Sequence, residues 1–116
     1  MANPVSWFEV LGSNPDKLRG FYAKLFNWKF QQLPNPDMDY AVLDKAQTGI
    51  GGGVGKAPQG PGWTTFYVSV DSVEETLAKV EKFGGKTLMP PTKLPDGGTI
   101  AVFADPEGHP IGLAKM

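Results

Sequence analysis

The alternation of apolar and polar positions predicts a strand followed by an amphipathic helix at the start of the chain. The run from Val5 to Leu11 is apolar and aromatic, as in a strand, and the turn-forming residues 12–15 end it. Asn14 is a good N-cap and Pro15 suits the first helical position. One apolar stripe at helical spacing is formed by Leu18, Phe21, Tyr22, Leu25 and Phe26. The helix is predicted to end near Phe26 or Asn27.

Short strands are predicted to follow this helix, and the same order of signals then recurs. The first set of strands is Trp28 to Leu33, Tyr40 to Leu43 and a weaker one from Ile50. Trp63 to Val70 is a second opening strand, and Ser72 with Glu75 forms a capping box. The second helix has a stripe of Val73, Leu77 and Val80, is closed by Gly84-Gly85, and precedes strands at Lys86 to Met89, Thr99 to Ala104 and Ile111 to Ala114.

This recurrence indicates a duplicated βαβββ unit and therefore an α+β fold. Residues 7–10 align with residues 65–68 at an offset of 58, half the chain length. Gly51 follows Asp44 by seven residues, and Gly112 follows Asp105 at the same spacing. We expect a single domain over residues 1–116, with unit one at about 4–56, unit two at about 62–116 and a linker at about 57–61.

Composition and charge exclude several classes of function. The chain has 116 residues, 11 Lys and Arg against 12 Asp and Glu, one His and no Cys. A net charge of −1 without blocks of like charge disfavours binding to nucleic acid or to a membrane surface. The absence of Cys excludes disulfides and thiolate metal sites and fits a reducing compartment. With no signal peptide pattern at the N-terminus, a cytoplasmic location is expected.

The chain resembles the vicinal oxygen chelate superfamily, which includes glyoxalase I, extradiol dioxygenases and the fosfomycin and bleomycin resistance proteins. The resemblance is carried by WFEVLGSNPDKLRGFYAKLFNW, VDSVEETLAKVEKFGGK and ADPEGHPIGLAK, and it covers essentially the whole chain. It implies paired βαβββ units whose mixed sheets curl around a ligand-binding cup with the helices outside, usually in a homodimer. The fold alone leaves the chemistry undecided.

The family's metal ligands are not matched in this sequence. In metal-using members the ligands lie on the first and last strands of each unit, and the corresponding positions look like Trp7, Thr65, Gly51 and Gly112. Indole and glycine offer no side-chain lone pair for a metal, and a Thr hydroxyl is a poor ligand. We therefore expect no metal and no other cofactor.

Glu9, His109 and the glycine run 49–55 are the remaining candidates for a catalytic or binding role. Glu9 lies two residues from Trp7, on the same face of a strand, and if it were buried without a partner it could act as a general acid or base. His109 lies in the turn from Asp105 to Pro110 and is interpreted as an exposed turn residue. The glycine run 49–55 fits neither GxGxxG nor the P-loop, and we interpret it as a strand with close backbone packing. A single His defines no Ser-His-Asp triad.

The residues expected to face the cup suggest binding of a small molecule. The predicted contacts are Trp7, Glu9, Trp63, Thr65, Tyr67, Gly51 and Gly112, with Phe8 and Val10 on the helix side of the first strand and Phe66, Val68 and Val70 on that of the second. The favoured function is metal-free binding of an apolar or aromatic ligand by a cytoplasmic homodimer. One alternative is an enzyme of the family that uses Glu9 as catalytic residue or a metal site at other positions. The other is a dimeric interaction module in which Trp7 fills the cup.

Overall fold

The computed structural model describes residues 2–35 and 37–116, which contain eight strands and three helices. In chain order the elements are β1 (Val5–Gly12), α1 (Pro15–Phe26), β2 (Gln31–Gln32), β3 (Tyr40–Leu43), α2 (Lys45–Thr48), β4 (Gly52–Lys56), β5 (Trp63–Ser69), α3 (Val73–Lys82), β6 (Lys86–Lys93), β7 (Thr99–Ala104) and β8 (Pro110–Lys115). They form two compact units. The first module is Trp7–Thr64, and the second module is Thr65–Met116 together with the N-terminal residues up to Ser6.

Both modules have the same strand topology, which confirms the predicted α+β fold with two βαβββ units. In the first module the strand order is β2-β3-β4-β1, and β1 runs parallel to β4 while the other neighbours are antiparallel. In the second module the order β6-β7-β8-β5 repeats this arrangement, with β5 parallel to β8. The helix between the first two strands of each module makes the parallel connection possible.

Helix α1 begins and ends where the sequence predicts. The Asn14 side chain accepts a hydrogen bond of 3.2 Å from the backbone N–H of Lys17, which satisfies one of the free donors of the first turn. Pro15 is the first helical residue, and Asn27 ends the helix in a left-handed conformation. The ends of this helix are therefore set by local side-chain chemistry.

The apolar stripe of α1 is only partly covered by its own chain. Leu18 and Tyr22 are half-buried. Phe21, Leu25 and Phe26 keep 58%, 58% and 52% of their surface exposed. The helical spacing was thus a correct sign of a helix, but it does not mark a buried face over the whole length of α1.

Helix α3 packs closely on its sheet. Val73 and Leu77 form a buried core with Ala101 and Leu113, against which Val68, Val70 and Phe103 also pack. Ser72 caps the helix by accepting a 3.1 Å hydrogen bond from the backbone N–H of Glu75. The assignment of Val68 and Val70 to the helix side is confirmed, whereas Phe66, expected beside them, is exposed.

The first module departs from the predicted elements around Trp28. The predicted strand from Trp28 to Leu33 is reduced to Gln31–Gln32. The Trp28 ring instead lies against the rings of Phe26, Tyr22 and Phe8, with centroid distances of 4.9, 5.9 and 6.1 Å. Aromatic packing against α1 and β1 therefore outweighs the local preference for an extended strand.

An ion-pair cluster connects α1 with the strands of the first module. The Arg19 guanidinium donates hydrogen bonds to Asp16 at 2.7 Å and to Asp39 at 2.8 Å. Its other terminal nitrogen donates to the backbone carbonyl of Val54 on β4, at 3.1 Å. The Arg19 side chain is 11% exposed, whereas the Asp16 and Asp39 side chains are 90% and 44% exposed, so the guanidinium is buried but its ion pairs reach the surface.

Strand β6 ends the strand order of the second module and is irregular. Its pairing with β7 shifts register between Thr87 and Met89 and again between Met89 and Thr92. Pro90 and Pro91 lie inside the second irregular stretch, and neither has a backbone N–H to donate. This strand is therefore an irregular edge.

Candidate functional site

A chain of side-chain hydrogen bonds links three residues of the first module. The indole N–H of Trp7 donates to the hydroxyl of Tyr40 at 2.9 Å, and that hydroxyl donates to Oε2 of Glu9 at 3.0 Å. Trp7 and Glu9 share one face of β1, as the alternation predicts, while Phe8 on the other face contacts the ring of Trp28. Trp7 and Tyr40 are half-buried, and Glu9 is 9% exposed. We call these three residues the Trp–Tyr–Glu chain.

The glycine run makes room for the rings of this chain. A Cβ atom at Gly53 would overlap the Tyr40 ring, and one at Gly55 would lie 2.5 Å from Cδ1 of Tyr40. At Gly51 it would lie 3.1 Å from Cζ3 of Trp7, while Gly52, facing the other way, lies under the ring of Phe8. The interpretation of this segment as close backbone packing is therefore confirmed, and aromatic rings are what pack there.

The bond from Tyr40 changes the expectation for Glu9. A buried carboxyl without a partner favours its neutral form, and that case was the argument for Glu9 as a general acid. In the structure Glu9 is buried but accepts a hydrogen bond from a hydroxyl donor. Glu9 is therefore buried with a hydrogen-bond partner, which is not the unpaired arrangement that the argument for a general acid or base assumed.

The candidate residues of the second module are occupied by structural contacts. The Thr65 hydroxyl donates to the carbonyl oxygen of Pro110 at 2.6 Å, which ties β5 to the start of β8. The ring of Tyr67 covers Gly112, and a Cβ atom added at Gly112 would overlap it. Thr65 and Tyr67 are both buried.

The equal spacing from Asp44 to Gly51 and from Asp105 to Gly112 suggests that Gly51 corresponds to Gly112. The register of the strand pairs gives a different correspondence. Gly112 lies opposite Tyr67 in the β5–β8 pair, and Gly53 lies opposite Glu9 in the β1–β4 pair. Gly53 is therefore the counterpart of Gly112, two residues beyond Gly51. In the first module Asp44 caps the short helix α2, which leads to β4. In the second module Asp105 instead holds a turn before β8, so the two aspartates are followed by different local structures.

Trp63 lies apart from the Trp–Tyr–Glu chain. It lines a cleft between α1, the end of β1 and the segment 61–64, and the described lining of this cleft does not include Trp7, Glu9 or Tyr40. The indole nitrogen of Trp63 is buried, and no hydrogen-bond partner for it is found among the described residues.

The loop around His109 is held by Asp105. The Asp105 carboxylate accepts hydrogen bonds from the backbone N–H of His109 at 3.0 Å and of Glu107 at 2.9 Å, and it contacts Nδ1 of the His109 ring. The bond from the His109 backbone is the main cause that lowers the pKa of Asp105 below its ordinary value of 3.8. The His109 side chain is 67% exposed. These bonds support the interpretation of His109 as an exposed turn residue.

The donor set does not fit the metal centre of the resembled family. The positions carried over from metal-using members are Trp7, Thr65, Gly51 and Gly112, and the Thr65 hydroxyl is already bonded to a carbonyl. Within residues 2–35 and 37–116, no three His, Cys, Asp or Glu side chains come together in a way that could hold an ion. We derive no chemistry through a metal.

The comparisons with known proteins agree with this architecture. The family model of the Glyoxalase/Bleomycin resistance protein/Dioxygenase superfamily matches residues 5–113. A glyoxylase-like domain-containing protein of Didymella fabae is 30% identical over 115 residues, covering 90% of this chain and 88% of that protein. The chain belongs to the Glyoxalase/Bleomycin resistance protein/Dioxygenase superfamily.

Two further similarities are to a longer protein and to a solved structure. CFP32 of Mycobacterium tuberculosis, a proposed glyoxylase, is 30% identical over 115 residues and 93% of this chain, but the chain spans only 44% of its length. A structure of Streptomyces coelicolor methylmalonyl-CoA epimerase superposes with a TM-score of 0.69 at 14% identity, over 99% of this chain and 95% of that one. This last likeness shows the fold alone.

In the described part of this chain, each helix is too short or too polar to cross a bilayer.

Sequence reasoning missed Tyr40 as a member of the site. Tyr40 was assigned only to a strand, although it connects Trp7 to Glu9. A usable signal was the pair Gly53 and Gly55, which are two residues apart and so leave one face of a strand bare. Such a bare strip requires a ring from a neighbouring strand, and Tyr40 supplies it.

Proposed function

We propose that this chain binds a small organic molecule on the face of the first module that carries the Trp–Tyr–Glu chain, without a metal. The observation that carries this proposal is the bonded arrangement of two half-buried aromatic side chains that ends at a buried carboxylate. Aromatic surface beside a few convergent polar groups is the usual composition of a small-molecule site.

The arrangement is preorganised. Trp7 and Tyr40 are held against a glycine backbone on one side and by hydrogen bonds at their polar ends. Side chains that are already ordered lose little conformational entropy when a ligand arrives. A side chain that only fills the core would be fully buried, whereas Trp7 and Tyr40 are half-buried. Ordered rings with a hydrogen-bonding group therefore suit contact with a flat apolar or aromatic ligand.

The carboxylate of Glu9 sets the charge preference of this face. Glu9 already makes contacts within the first module, among them the hydrogen bond from Tyr40, and its charge acts on a ligand in addition to these contacts. It attracts an amine or a hydroxyl donor, and it repels an anion at short range. The proposed ligand is therefore an aromatic molecule that carries a cationic or hydroxyl group.

Turnover by Glu9 is the second candidate function. The Tyr40 hydroxyl donates a hydrogen bond to Glu9 and holds its carboxyl group in one position, which suits a general base. A base of this kind would abstract a proton from the bound ligand. Glu9→Gln separates binding alone from binding with turnover. The substitution should spare most of the binding energy in both cases. If the protein turns its ligand over, the substitution should also abolish that turnover.

Titration calorimetry with three matched probes tests the proposal. Phenethylamine, 2-phenylethanol and phenylacetate share one ring and differ in charge. We expect the amine and the alcohol to bind more tightly than the acid, Trp7→Ala to weaken binding at least about tenfold, and Glu9→Gln to remove the preference for the amine. Glu107→Gln, which removes an exposed carboxylate of the second module, is the matched control and should keep the preference.

Three results would contradict the proposal. Failure of all three probes to bind the unmodified protein would remove the aromatic site. Equal binding of phenylacetate and phenethylamine would show that Glu9 does not set the charge preference. Binding that survives in Trp7→Ala and in Glu9→Gln alike would place the ligand elsewhere.

The proposal includes a homodimer that works in the cytoplasm. The exposed apolar residues Leu25 and Phe26 of α1, which lie outside the lining of the cleft beside this helix, support an association between copies because apolar surface of this kind is usually covered. The absence of Cys agrees with a reducing compartment. Light scattering after size exclusion gives the mass in solution, and a mass of one chain at micromolar concentration would contradict the dimer.

A further inference from the structure

We propose that the cleft beside α1 is a second binding site, for an elongated apolar molecule that ends in a carboxylate or another anionic group. The cleft has a volume of about 750 Å³ and lies within the first module. This size falls in the range of small-molecule sites. The inference does not depend on the function proposed for the Trp–Tyr–Glu chain, because the two sets of residues are different.

The walls of the cleft are apolar. They are formed by Val10, Leu11, Leu18, Phe21, Tyr22 and Pro61. Phe21 keeps 58% of its surface exposed, and Leu18 and Tyr22 are half-buried. An alkyl chain laid against these side chains would remove apolar surface from water on both partners, which is the main favourable term in such binding.

Besides Thr64 on the segment 61–64, three polar residues of the cleft come from the turn into α1 and its first residues. Ser13, Asn14 and Lys17 lie there. Among the residues that the structure describes, Lys17 forms no ion pair, whereas its neighbour Asp16 is bonded to Arg19. A cation without a local counter-ion beside an apolar wall fits a ligand with an anionic head and an apolar tail.

The indole of Trp63 provides an independent sign that the cleft is incomplete. Its nitrogen is buried and has no partner in the described part of the chain. A buried donor without an acceptor is costly and rare in folded proteins. Trp63 belongs to the wall of the cleft, and a bound molecule whose oxygen acceptor reached this nitrogen would satisfy it.

Nuclear magnetic resonance of the indole N–H groups tests this site directly, with decanoate as the probe. The chain has three tryptophans, and Trp63→Phe identifies the resonance of Trp63 while keeping a ring in the wall. We expect decanoate, added below its micelle concentration, to shift the Trp63 signal in a saturable way and to leave the Trp7 signal in place. Octanoate should bind about fifteenfold more weakly, since each buried methylene contributes about fourfold in affinity.

Two variants and two further probes separate the head group from the tail. Lys17→Gln should weaken decanoate about fivefold, and Lys24→Gln, at the far end of the same helix, should leave it unchanged. Decanol should bind more weakly than decanoate, and decyltrimethylammonium should bind the unmodified protein least. If Trp63→Phe fails to fold, the Lys17 variant and the chain-length series still decide the question.

Three outcomes would overturn the proposal. One is the absence of a saturable shift at Trp63, and another is a shift of the Trp7 signal instead, which would assign decanoate to the face of the Trp–Tyr–Glu chain. The third is a Trp63 signal that moves with protein concentration before any decanoate is added. That result would show that a second copy of the chain occupies the cleft.

Discussion

The second module buries two residues of its helix, Val73 and Leu77, whereas the helix of the first module buries only Pro15. The strand order and the parallel pair are the same in both. The first module instead leaves aromatic side chains half-buried, both on its Trp–Tyr–Glu chain and along α1. A duplicated topology therefore does not imply duplicated packing, and the less completely packed copy is the one to which we assign the proposed ligand sites.

The largest expected effect comes from removing a core residue of α3. Leu77→Ala should lower the free energy of unfolding by about 3 kcal/mol, because it leaves a cavity in the packed cluster with Val73 and Leu113. In the dissociated chain, at low protein concentration, Leu25→Ala on the exposed face of α1 should cost less than about 0.5 kcal/mol. Urea denaturation of both variants measures the difference. An equal cost at Leu25 would show that α1 is covered in solution.

Glycine substitutions sharpen the comparison within the first module. Gly53→Ala places a methyl group into the Tyr40 ring and should destabilise the protein by about 2 kcal/mol. Gly20→Ala on α1 meets no atom within 4 Å and should stabilise the protein by about 0.5–1 kcal/mol. Thermal unfolding of the pair gives both signs. A neutral Gly53→Ala would mean that the Tyr40 ring does not lie over β4.

The Arg19 cluster tests how firmly α1 is attached to the strands. Arg19→Met keeps much of the apolar stem but removes the bonds to Asp16, Asp39 and the Val54 carbonyl. We expect a loss of about 1–2 kcal/mol, since one buried carbonyl and two carboxylates lose a charged donor. The measurement is chemical denaturation at low and at high salt. Asp16→Asn, which affects an exposed partner, should cost much less, and equal costs would contradict a buried role for Arg19.

The smallest effect concerns the Asp105 loop of the second module and depends on pH. The pKa of Asp105 is lowered in the folded chain, chiefly by the backbone N–H of His109. The stabilisation is therefore present above the ordinary pKa of 3.8 and is lost as the pH falls through the lowered value. Unfolding midpoints of the unmodified protein and of Asp105→Asn should converge as the pH is reduced below that value. A constant difference would exclude titration of Asp105 as the cause.

Local signals in the sequence were sufficient for the two long helices and for the duplicated fold, but they missed α2 and overextended the strand at Trp28. The caps at Asn14 and Ser72 involve residues only three positions apart, so they can be inferred from the sequence directly. Alternation assigned Trp7 and Glu9 to one face of β1 for the same reason. These features depend on neighbouring residues rather than on contacts between distant parts of the chain.

The candidate site depended on contacts that local signals do not contain. Tyr40 is 31 residues from Glu9, and the hydrogen bond between them follows from the register of β3 on β4 and of β4 on β1. The loss of the predicted strand at Trp28 has the same origin, because its ring packs on Phe8 twenty residues earlier. The exposure of Phe21 shows that helical spacing alone does not tell whether another surface covers an apolar stripe.

The irregular edge at β6 has a consequence for how this chain behaves at high concentration. A regular edge strand can recruit a strand from another molecule, which is the first step of aggregation through sheets. Pro90 and Pro91, together with the shifts of register around them, interrupt the row of donors that such recruitment needs. Replacing both prolines by residues with a backbone N–H would restore the donors of β6, and this edge strand could then pair with strands of other molecules and start fibril formation.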